Sequence, residues 1–441
     1  METVILKNIM LPDAVHADIV VAGGVIAKVI EKRGGQAGGG LSGMQADGSC
    51  CPAEGYDVSL EGAWQMDCSG KMAVPGFVNM HTHAAMSLMR GMEEDVLFHR
   101  WLDRIWAIES KVDADFVYWG TRAACLEMLR TGTTTFNDHY WHAPAAFRAA
   151  SEMGLRPVES YVFLDRYDPD EAERQKEQCM RQYEESLSWG GNGLFTVGIH
   201  SVYSVGEKTM LWAADFARRH GLKLHIHLSE TQKEVNDCIR EHGLTPVEYL
   251  DRLGILGPDL IAAHTLWLSD HDVELLGSHR VNCVHNINSN LKLASGYRFR
   301  YNELRDAGAN VCIGTDGCAS SNNLDILEAL KTAAMVQKAW RGDPSAMPLG
   351  ELLEIATVNG AKALGLNTGL IREGMDADIL IVDTENTFFL SGGSPLANLI
   401  YSAHSDCIVT VMCRGRIVME DRKVAGEKDT LEGARRVLPR I

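Results

Sequence analysis

Val74-Pro75-Gly76-Phe77-Val78-Asn79-Met80-His81-Thr82-His83 is an apolar, β-branched run that ends in two histidines two positions apart. On an extended strand, residues i and i+2 point to the same side, so both imidazoles can reach one metal ion. A single His-x-His pair is weak evidence, because many such pairs are surface or core histidines. The interpretation as a metal site therefore depends on further metal-compatible residues at the ends of other apolar runs.

Composition limits the kinds of protein that this chain can be. With 441 residues it exceeds the usual size of one core, which favours a large domain beside a smaller one. Hydrophobic residues make up 46% and charged residues 23%, as is ordinary for globular proteins. The formal charge of −17 argues against nucleic acid and against anionic membrane surfaces as partners. We expect a small-molecule substrate.

Two further features of the sequence concern its location. The first residues alternate apolar and polar side chains, which predicts no signal peptide, and no apolar run is long enough to span a membrane. The eleven cysteines are scattered and lack Cys-x-x-Cys spacing, so no disulfide framework is predicted. We therefore predict a cytoplasmic protein.

From about residue 72 to residue 370, short apolar runs alternate with longer segments of helical period. Eight runs are predicted strands: Ala73–Asn79, Thr133–Asn137, Arg156–Phe163, Leu194–Ile199, Leu222–Ile226, Leu260–Ala263, Val281–Val284 and Asn310–Gly314. The predicted helices between them include Phe116–Arg130, Thr209–His220, Pro246–Leu253 and Leu324–Lys338. Repeated strand–helix units imply a parallel sheet, and eight units are enough to close a barrel. We predict an α/β fold in which residues 71–370 form a (β/α)₈ TIM-like barrel.

Both ends of the chain have strand character with polar alternation. Strands are predicted at Val4–Leu6, Ala17–Val21, Val25–Ile30, Ala377–Val382, Cys407–Cys413 and Arg416–Val418. We predict that residues 1–70 and 371–441 together form one small β-sandwich domain. Residues 34–56 are rich in glycine and small polar residues and are interpreted as a surface insertion with no chemistry of its own.

Functional groups of a parallel barrel gather at the C-terminal ends of its strands. The predicted strand ends carry His81 and His83 (first), His200 (fourth), His225, His227 and Glu230 (fifth), His264 (sixth), His285 (seventh) and Asp316 (eighth). Three histidines and one aspartate would hold a hydrolytic zinc that keeps one position open for a water of lowered pKa. Glu230 is the candidate general base. His227 is preferred to His225 for its spacing to Glu230, and His139, His142 and His285 are interpreted as pocket-wall or structural residues.

These residues resemble the metal-dependent amidohydrolase superfamily and, more narrowly, its 5′-methylthioadenosine/S-adenosylhomocysteine deaminase and chlorohydrolase branch. The resemblance rests on His81-Thr82-His83, His227-x-x-Glu230, His264 and Thr315-Asp316-Gly317, and on the stretches Pro75–Asn79, His83–Gly91, Ser289–Leu293 and Gly314–Asn323. It covers nearly the whole chain, including Gly374–Asp378 near the C-terminal strands. It is highly specific for the superfamily and less specific for the substrate.

The resemblance implies a role for each residue. His81, His83, His227 and Asp316 would bind one divalent metal ion per subunit, with zinc expected and iron or manganese as alternatives. Glu230 would move a proton from the activated water to a ring nitrogen of the substrate. His264, together with Asp316, would orient and polarise that water. His200 stands at the end of the fourth strand, where binuclear relatives carry a lysine, and this favours a mononuclear site.

The resemblance also implies a substrate class. In nucleoside-deaminating relatives a glutamate after the first strand binds the ribose hydroxyls, and Glu109 matches it; His200 would contact the nucleoside from the other side. Tyr161 stands where some relatives carry an arginine suited to the homocysteine carboxylate, which favours adenosine or methylthioadenosine over S-adenosylhomocysteine. The expected activity is hydrolytic deamination of an adenine nucleoside, through a metal-bound hydroxide, to an inosine-type product and ammonia.

Two alternatives stay open at the level of sequence. A deaminase or chlorohydrolase of another aromatic heterocycle, such as guanine or a triazine, would use the same catalytic residues. Glu109 separates the two, because such substrates have no ribose diol. A metal-free barrel retained as a binding protein is the second alternative, and the full ligand set disfavours it. A homo-oligomer is expected.

Overall fold

The computed structural model describes residues 3–32 and 62–441. The glycine-rich insertion predicted at 34–56 lies outside the described residues. Within the described part, the chain forms an eight-stranded sheet and a nine-stranded sheet. No helix in this part is both long and apolar enough to cross a membrane.

The eight-stranded sheet is the predicted barrel. Its strands are hydrogen-bonded in chain order: Phe77–Thr82, Thr133–Asp138, Arg156–Phe163, Leu194–Ser201, Lys223–Leu228, Leu260–His264, Asn282–His285 and Asn310–Ile313. All neighbouring pairs are parallel. Just after the last strand, the amides of Thr315 and Asp316 donate to the carbonyl of His81 at 3.2 and 3.0 Å, which joins the two edges of the sheet. The predicted TIM-like fold class is confirmed.

The amphipathic segments form the helices that surround the barrel. The α-helices are Phe98–Glu109, Ala114–Arg130, Ala143–Met153, Pro169–Ser186, Glu207–Arg219, Gln232–His242, Pro246–Arg252, Asp270–Ser278, Ile287–Lys292, Tyr301–Ala307, Cys318–Ser321, Ile326–Arg341, Leu349–Ala356, Val358–Leu364, Pro395–Tyr401 and Glu427–Val437. The second of these begins where the Asp113 side chain accepts the amide of Phe116 at 2.8 Å, an N-cap that satisfies a free helix amide. Leu129 on this helix is fully buried in one cluster with Phe77 of the first barrel strand. The helices thus cover the outer face of the barrel.

The strand predicted at Ala73–Asn79 is wrong as a single strand, because the structure divides it at Gly76. Lys71–Pro75 pairs with Ile379–Asp383 in the nine-stranded sheet, whereas Phe77–Thr82 opens the barrel. The amide of Gly76 donates to the carbonyl of Asp378 at 2.9 Å, and a side chain at this position would overlap Thr134. A glycine is therefore required at the point where the chain passes from one sheet to the other.

The nine-stranded sheet is built from both ends of the chain, as predicted for the small sandwich domain. Its order is Lys423–Val424, Arg416–Glu420, Ile408–Cys413, Ile379–Asp383, Lys71–Pro75, Val4–Met10, His16–Ala22 and Val25–Glu31, with Trp64–Asp67 beside Val4–Met10. Its interior is apolar, and Leu6, Ile19 and Met412 are fully buried there. The domain limits at residues 70 and 371 stay a prediction.

Candidate metal centre and substrate cleft

Four of the residues singled out from the sequence meet at the C-terminal mouth of the barrel. His81, His227 and His264 lie at the ends of the first, fifth and sixth strands, and Asp316 follows the eighth. One ligand atom from each side chain lies within 4.8 Å of the other three, and all four residues are buried. Side chains far apart in sequence therefore converge on one point, which is the arrangement that a metal ion requires.

His83 lies at the edge of this group. Its Nε2 atom is 3.2 Å from Asp316 Oδ1 and 3.2 Å from His227 Nε2, and Asp316 Oδ1 is also 3.2 Å from His81 Nε2. Ligand atoms about 2.0–2.1 Å from a tetrahedral zinc lie roughly 3.3 Å from one another. The three separations that join His81, His83, His227 and Asp316 therefore suit ligands of one ion.

His83, His227 and Asp316 each make hydrogen bonds on the side that faces away from the centre, and these bonds turn the free ligand atom toward it. His83 Nδ1 donates to the carbonyl of His139, and His227 Nδ1 donates to the carbonyl of His200, both at 2.7 Å. A carbonyl only accepts, so the proton of each neutral imidazole sits on Nδ1 and the Nε2 lone pair is free. Hydroxyls of Ser289 and Ser320 donate to Asp316 Oδ2 at 2.6 and 2.9 Å, which leaves Oδ1 for the centre.

The charges of these groups also fit a cation. Burial alone would raise the pKa of Asp316, but its electrostatic interaction with the adjacent imidazoles of His81 and His83 holds it well below its usual range. Burial lowers the pKa of His227, and neighbouring histidines lower it further, so this imidazole is neutral. The Nε2 atom of His81 is fully buried and makes no well-directed hydrogen bond among the described residues. One carboxylate and several neutral imidazoles are a donor set suited to a divalent metal ion.

Glu230 and His264 lie beside the centre. His264 Nδ1 is 3.7 Å from Glu230 Oε1 and 3.0 Å from the Asn290 amide nitrogen. Burial raises the pKa of Glu230 well above its usual range, and the charges of Asp316 and Glu234 add to this shift. The amides of Ser229 and Glu230 donate to the Glu234 carboxylate at 2.9 and 2.8 Å, and this fixes the turn that carries Glu230. A carboxyl group held in this way can both accept and release a proton.

A cleft opens above the centre, and its lining includes Glu109, His200 and Trp106. Glu109 ends the helix Phe98–Glu109 and is only 9% exposed; its Oε1 atom has no hydrogen-bond partner among the described residues. Burial raises the pKa of Glu109 to about 7, although the charge of His83 opposes the shift. Burial likewise lowers the pKa of His200 to about 3. The cleft therefore offers a free carboxylate oxygen and a neutral imidazole to a ligand.

Several residues that orient the side chains of the site could not be assigned a role from the sequence. Ser289 and Ser320 orient Asp316, and Asn290 orients His264. All three lie in stretches that carry the family resemblance, but the resemblance assigned them no role. His225 was set aside as a ligand and its imidazole lies 2.9 Å from His81 Nδ1. Its position two residues before His227 on the same strand places both side chains on one side of the strand, and this spacing could have indicated that His225 lies near the metal centre.

A parallel barrel with histidines and an aspartate at its strand ends defines a class, the metal-dependent barrel hydrolases. The chain matches the amidohydrolase family over residues 72–418, and it belongs to that family. It is a hydrolase that acts on carbon–nitrogen bonds, and the metal-free binding protein considered from the sequence is set aside.

Curated relatives align with most of the length of this chain. A 5′-deoxyadenosine deaminase of Methanoregula boonei is 43% identical over 381 residues, covering 85% of each chain. The 5-methylthioadenosine/S-adenosylhomocysteine deaminase 1 of Archaeoglobus fulgidus is 41% identical over 368 residues, covering 83% of this chain and 87% of the relative.

Solved structures have the same fold. An adenosine deaminase from Xanthomonas campestris with bound zinc matches with a TM-score of 0.85 and 28% identity, covering 99% of this chain and 98% of the other. The zinc-complexed atrazine chlorohydrolase TrzN of Arthrobacter aurescens also reaches a TM-score of 0.85, over 99% of this chain and all of the other. At 21% identity, the second match concerns the fold alone.

Proposed function

We propose that the protein is a hydrolytic deaminase of adenine nucleosides that releases ammonia and an inosine-type product. The observation that carries this proposal is the buried carboxylate of Glu109, with a free oxygen, in the same cleft as His83, His227 and Asp316. A carboxylate beside the reaction centre suits a substrate with a diol, as a ribose has. The names of relatives at 41–43% identity, which are deaminases of adenosine derivatives, support the same substrate class.

The ligands of a single ion, in this proposal, are His81, His83, His227 and Asp316. Zinc suits their donor set, and a bound divalent cation would supply a Lewis acid that lowers the pKa of water toward neutrality. Three of the four ligands, His83, His227 and Asp316, are already oriented by hydrogen bonds to the side of the group that faces away from the centre, so metal binding requires little rearrangement of them.

Proton transfer is assigned to Glu230. It would take one proton from the attacking water and deliver it to a ring nitrogen of the purine as the oxygen adds to C6. The remaining proton on that oxygen would then pass to the 6-amino group, the C6–N bond would break, and ammonia would leave the inosine-type product. The raised pKa of Glu230 suits this role, because a carboxyl group must hold the proton between the two steps. His264, 3.7 Å from Glu230, and Asp316 would hold the water in line with the ring.

The ribose would lie between Glu109 and His200. A second cleft, lined by Trp106, Glu109, Tyr161 and two arginines, continues from this point and would receive the 5′-substituent. One of these arginines, Arg174, is paired with Glu171, and Tyr161 donates to Gln178 at 2.8 Å. Tyr161 and Arg174 are already partnered, which favours adenosine, 5′-deoxyadenosine or methylthioadenosine over a substrate with an amino-acid tail. Arg166, with its guanidinium 4.9 Å from the centre of the Trp106 ring, makes no ion pair among the described residues, so turnover of S-adenosylhomocysteine would assign the binding of its carboxylate to Arg166. A cytoplasmic, homo-oligomeric enzyme remains part of the proposal.

Ammonia release from a panel of purines tests the substrate class. The panel contains adenosine, 5′-deoxyadenosine, methylthioadenosine, S-adenosylhomocysteine, adenine and guanine, with a triazine added. We expect turnover of the adenine nucleosides, fastest for those without an amino-acid tail. Turnover of guanine or the triazine alone would replace the proposal by the heterocycle alternative.

Glu109→Gln tests the assignment of the ribose contact. A hydrogen bond to a charged group contributes about 1.5–3 kcal/mol, so kcat/KM for adenosine should fall roughly 10- to 100-fold. Adenine has no diol and serves as the control, since its slower turnover should change little. An equal loss for adenosine and adenine would show that Glu109 does not bind the ribose.

A further inference from the structure

The proposed metal ligands are not all held in the same way. The Nδ1 atoms of His83 and His227 each donate to a backbone carbonyl, which fixes the proton on Nδ1. Within the described part of the chain, no backbone carbonyl accepts a hydrogen bond from His81 Nδ1. Its Nδ1 atom lies 2.9 Å from Nε2 of His225, a second imidazole that can either donate or accept. The tautomer of His81 is therefore decided by His225.

His225 is in turn held by Asn137. The amide nitrogen of Asn137 lies 3.2 Å from His225 Nδ1 and also donates to the carbonyl of Met80 at 3.0 Å. His81, Asn137 and His225 are all 0% exposed. Since these three side chains are fully buried and contact one another, the hydrogen-bond partner of each one decides where its proton lies.

We propose that Asn137 and His225 are positioning residues that set the affinity of the metal centre by directing the proton of His81. This inference rests on the proposed ligand set and not on the identity of the substrate. A ligand must present the Nε2 lone pair of His81, so Nδ1 must carry the proton and donate to His225 Nε2. Neutral His225 then carries its own proton on Nδ1, facing Asn137.

The series as it stands in the structure points the opposite way. The Asn137 amide nitrogen donates to His225, which makes His225 donate to His81 and places the proton of His81 on Nε2, toward Asp316 Oδ1 at 3.2 Å. Metal binding therefore requires the series to reverse, with Asn137 presenting oxygen to His225. The Oδ1 atom of Asn137 has no partner among the described residues and is available for this. The bond to Met80 opposes the reversal and lowers metal affinity.

Zinc affinity, measured by competition with a chromophoric chelator in the absence of substrate, tests the proposal. His225→Leu should weaken zinc binding about 10- to 100-fold, the usual loss when the partner of a metal-bound histidine is removed. His225→Gln offers an acceptor to His81 and should restore most of the affinity. Asn137→Asp presents only acceptors to His225 and should bind zinc at least as tightly as the unmodified protein, whereas Asn137→Leu should bind it more weakly.

His285→Leu is the matched control. His285 is also a fully buried histidine at a barrel strand end, but its ring stacks on Phe299 at 4.1 Å and its nitrogens have no partner among the described residues. This variant should keep the zinc affinity of the unmodified protein. Equal zinc affinity in His225→Leu and the unmodified protein, or equal weakening in His225→Leu and His225→Gln, would overturn the proposal. Failure of the unmodified protein to bind zinc would instead remove the proposed ligand set.

Discussion

The mouth of the barrel and the interior of the nine-stranded sheet are both built from buried side chains, and these side chains have opposite chemistry. In the sheet, buried side chains such as Leu6, Ile19 and Met412 are apolar. At the barrel mouth, buried side chains are histidines, carboxylates and amides, and several of their polar atoms have no hydrogen-bond partner among the described residues.

The two regions contribute differently to the stability of the folded protein. Burial of apolar area stabilises the fold by about 25 cal/mol per Å², whereas burial of an unpartnered polar group costs about 1–3 kcal/mol. The sheet interior therefore contributes to stability, and the barrel mouth preserves reactive groups at a cost in stability. Substitutions in the two regions should separate activity from stability.

Glu230→Gln should have the largest effect on activity and none on folding. The amide cannot carry the proton, and loss of a general acid–base typically lowers turnover about 10²- to 10⁴-fold. The amount of bound zinc should stay unchanged. The unfolding temperature should stay the same or rise, because a buried carboxyl is replaced by a neutral group of the same shape. Ammonia release, elemental analysis and thermal unfolding measure the three quantities.

Glu241→Gln is the control for this prediction, since Glu241 is an exposed glutamate on the next helix. It should leave all three quantities as they are. Normal turnover in Glu230→Gln would remove Glu230 from the mechanism. A large fall in unfolding temperature would instead contradict the contrast between the two regions.

The features that the sequence could predict are those that follow from local patterns of apolar and polar residues. The alternation of strands and helices, and polar residues such as His264 and Asp316 at the strand ends, follow from local patterns and indicated both the barrel and its mouth. The division at Gly76 did not follow, because the apolar run continues on both sides of the Pro-Gly pair. Its pairings with Ile379–Asp383 and Val4–Met10, both far away in the chain, place Lys71–Pro75 in the other sheet.

Residues that hold the site through other residues were the hardest to predict. Ser289 and Ser320 contact Asp316 through hydroxyls from two different short helices, and Asn137 reaches His81 only through His225. Nothing in the local sequence of a serine or an asparagine distinguishes such a contact from an ordinary turn or strand position. These contacts depend on the closed barrel, which brings distant strand ends together.

Ile19→Ala should have the opposite effect to Glu230→Gln. Ile19 pairs with Leu6 across two strands of the nine-stranded sheet and is 0% exposed. Truncation of a buried isoleucine to alanine costs about 2–5 kcal/mol, and truncation to valine about 0.5–1.5 kcal/mol. Urea unfolding should show this order, while turnover per folded molecule stays that of the unmodified protein. A loss of turnover equal in both variants would show that the sheet also shapes the mouth.

Glu159 sharpens the comparison, because it is a buried charge outside the metal centre. It lies on the third barrel strand, 1% exposed, and its Oε1 atom has no partner among the described residues. Burial raises the pKa of Glu159 well above its usual range, and the charge of Asp138 adds to the shift. Burial also raises the pKa of Asp138 to about 6.

Glu159→Gln should therefore stabilise the protein as the pH rises. In the unfolded chain Glu159 ionises near its ordinary pKa of about 4.3, while in the folded protein it stays protonated, so folding takes up a proton above that pH. The stability that Glu159 provides is complete below about pH 4 and is lost as the pH rises toward its folded pKa. The amide has no proton to lose. Urea unfolding should show equal stability of variant and unmodified protein near pH 4 and a gain of about 1–3 kcal/mol for the variant at pH 8. The exposed Glu420→Gln should show no such change; a gain that is the same at both pH values would mean that packing, and not the buried carboxyl, is responsible.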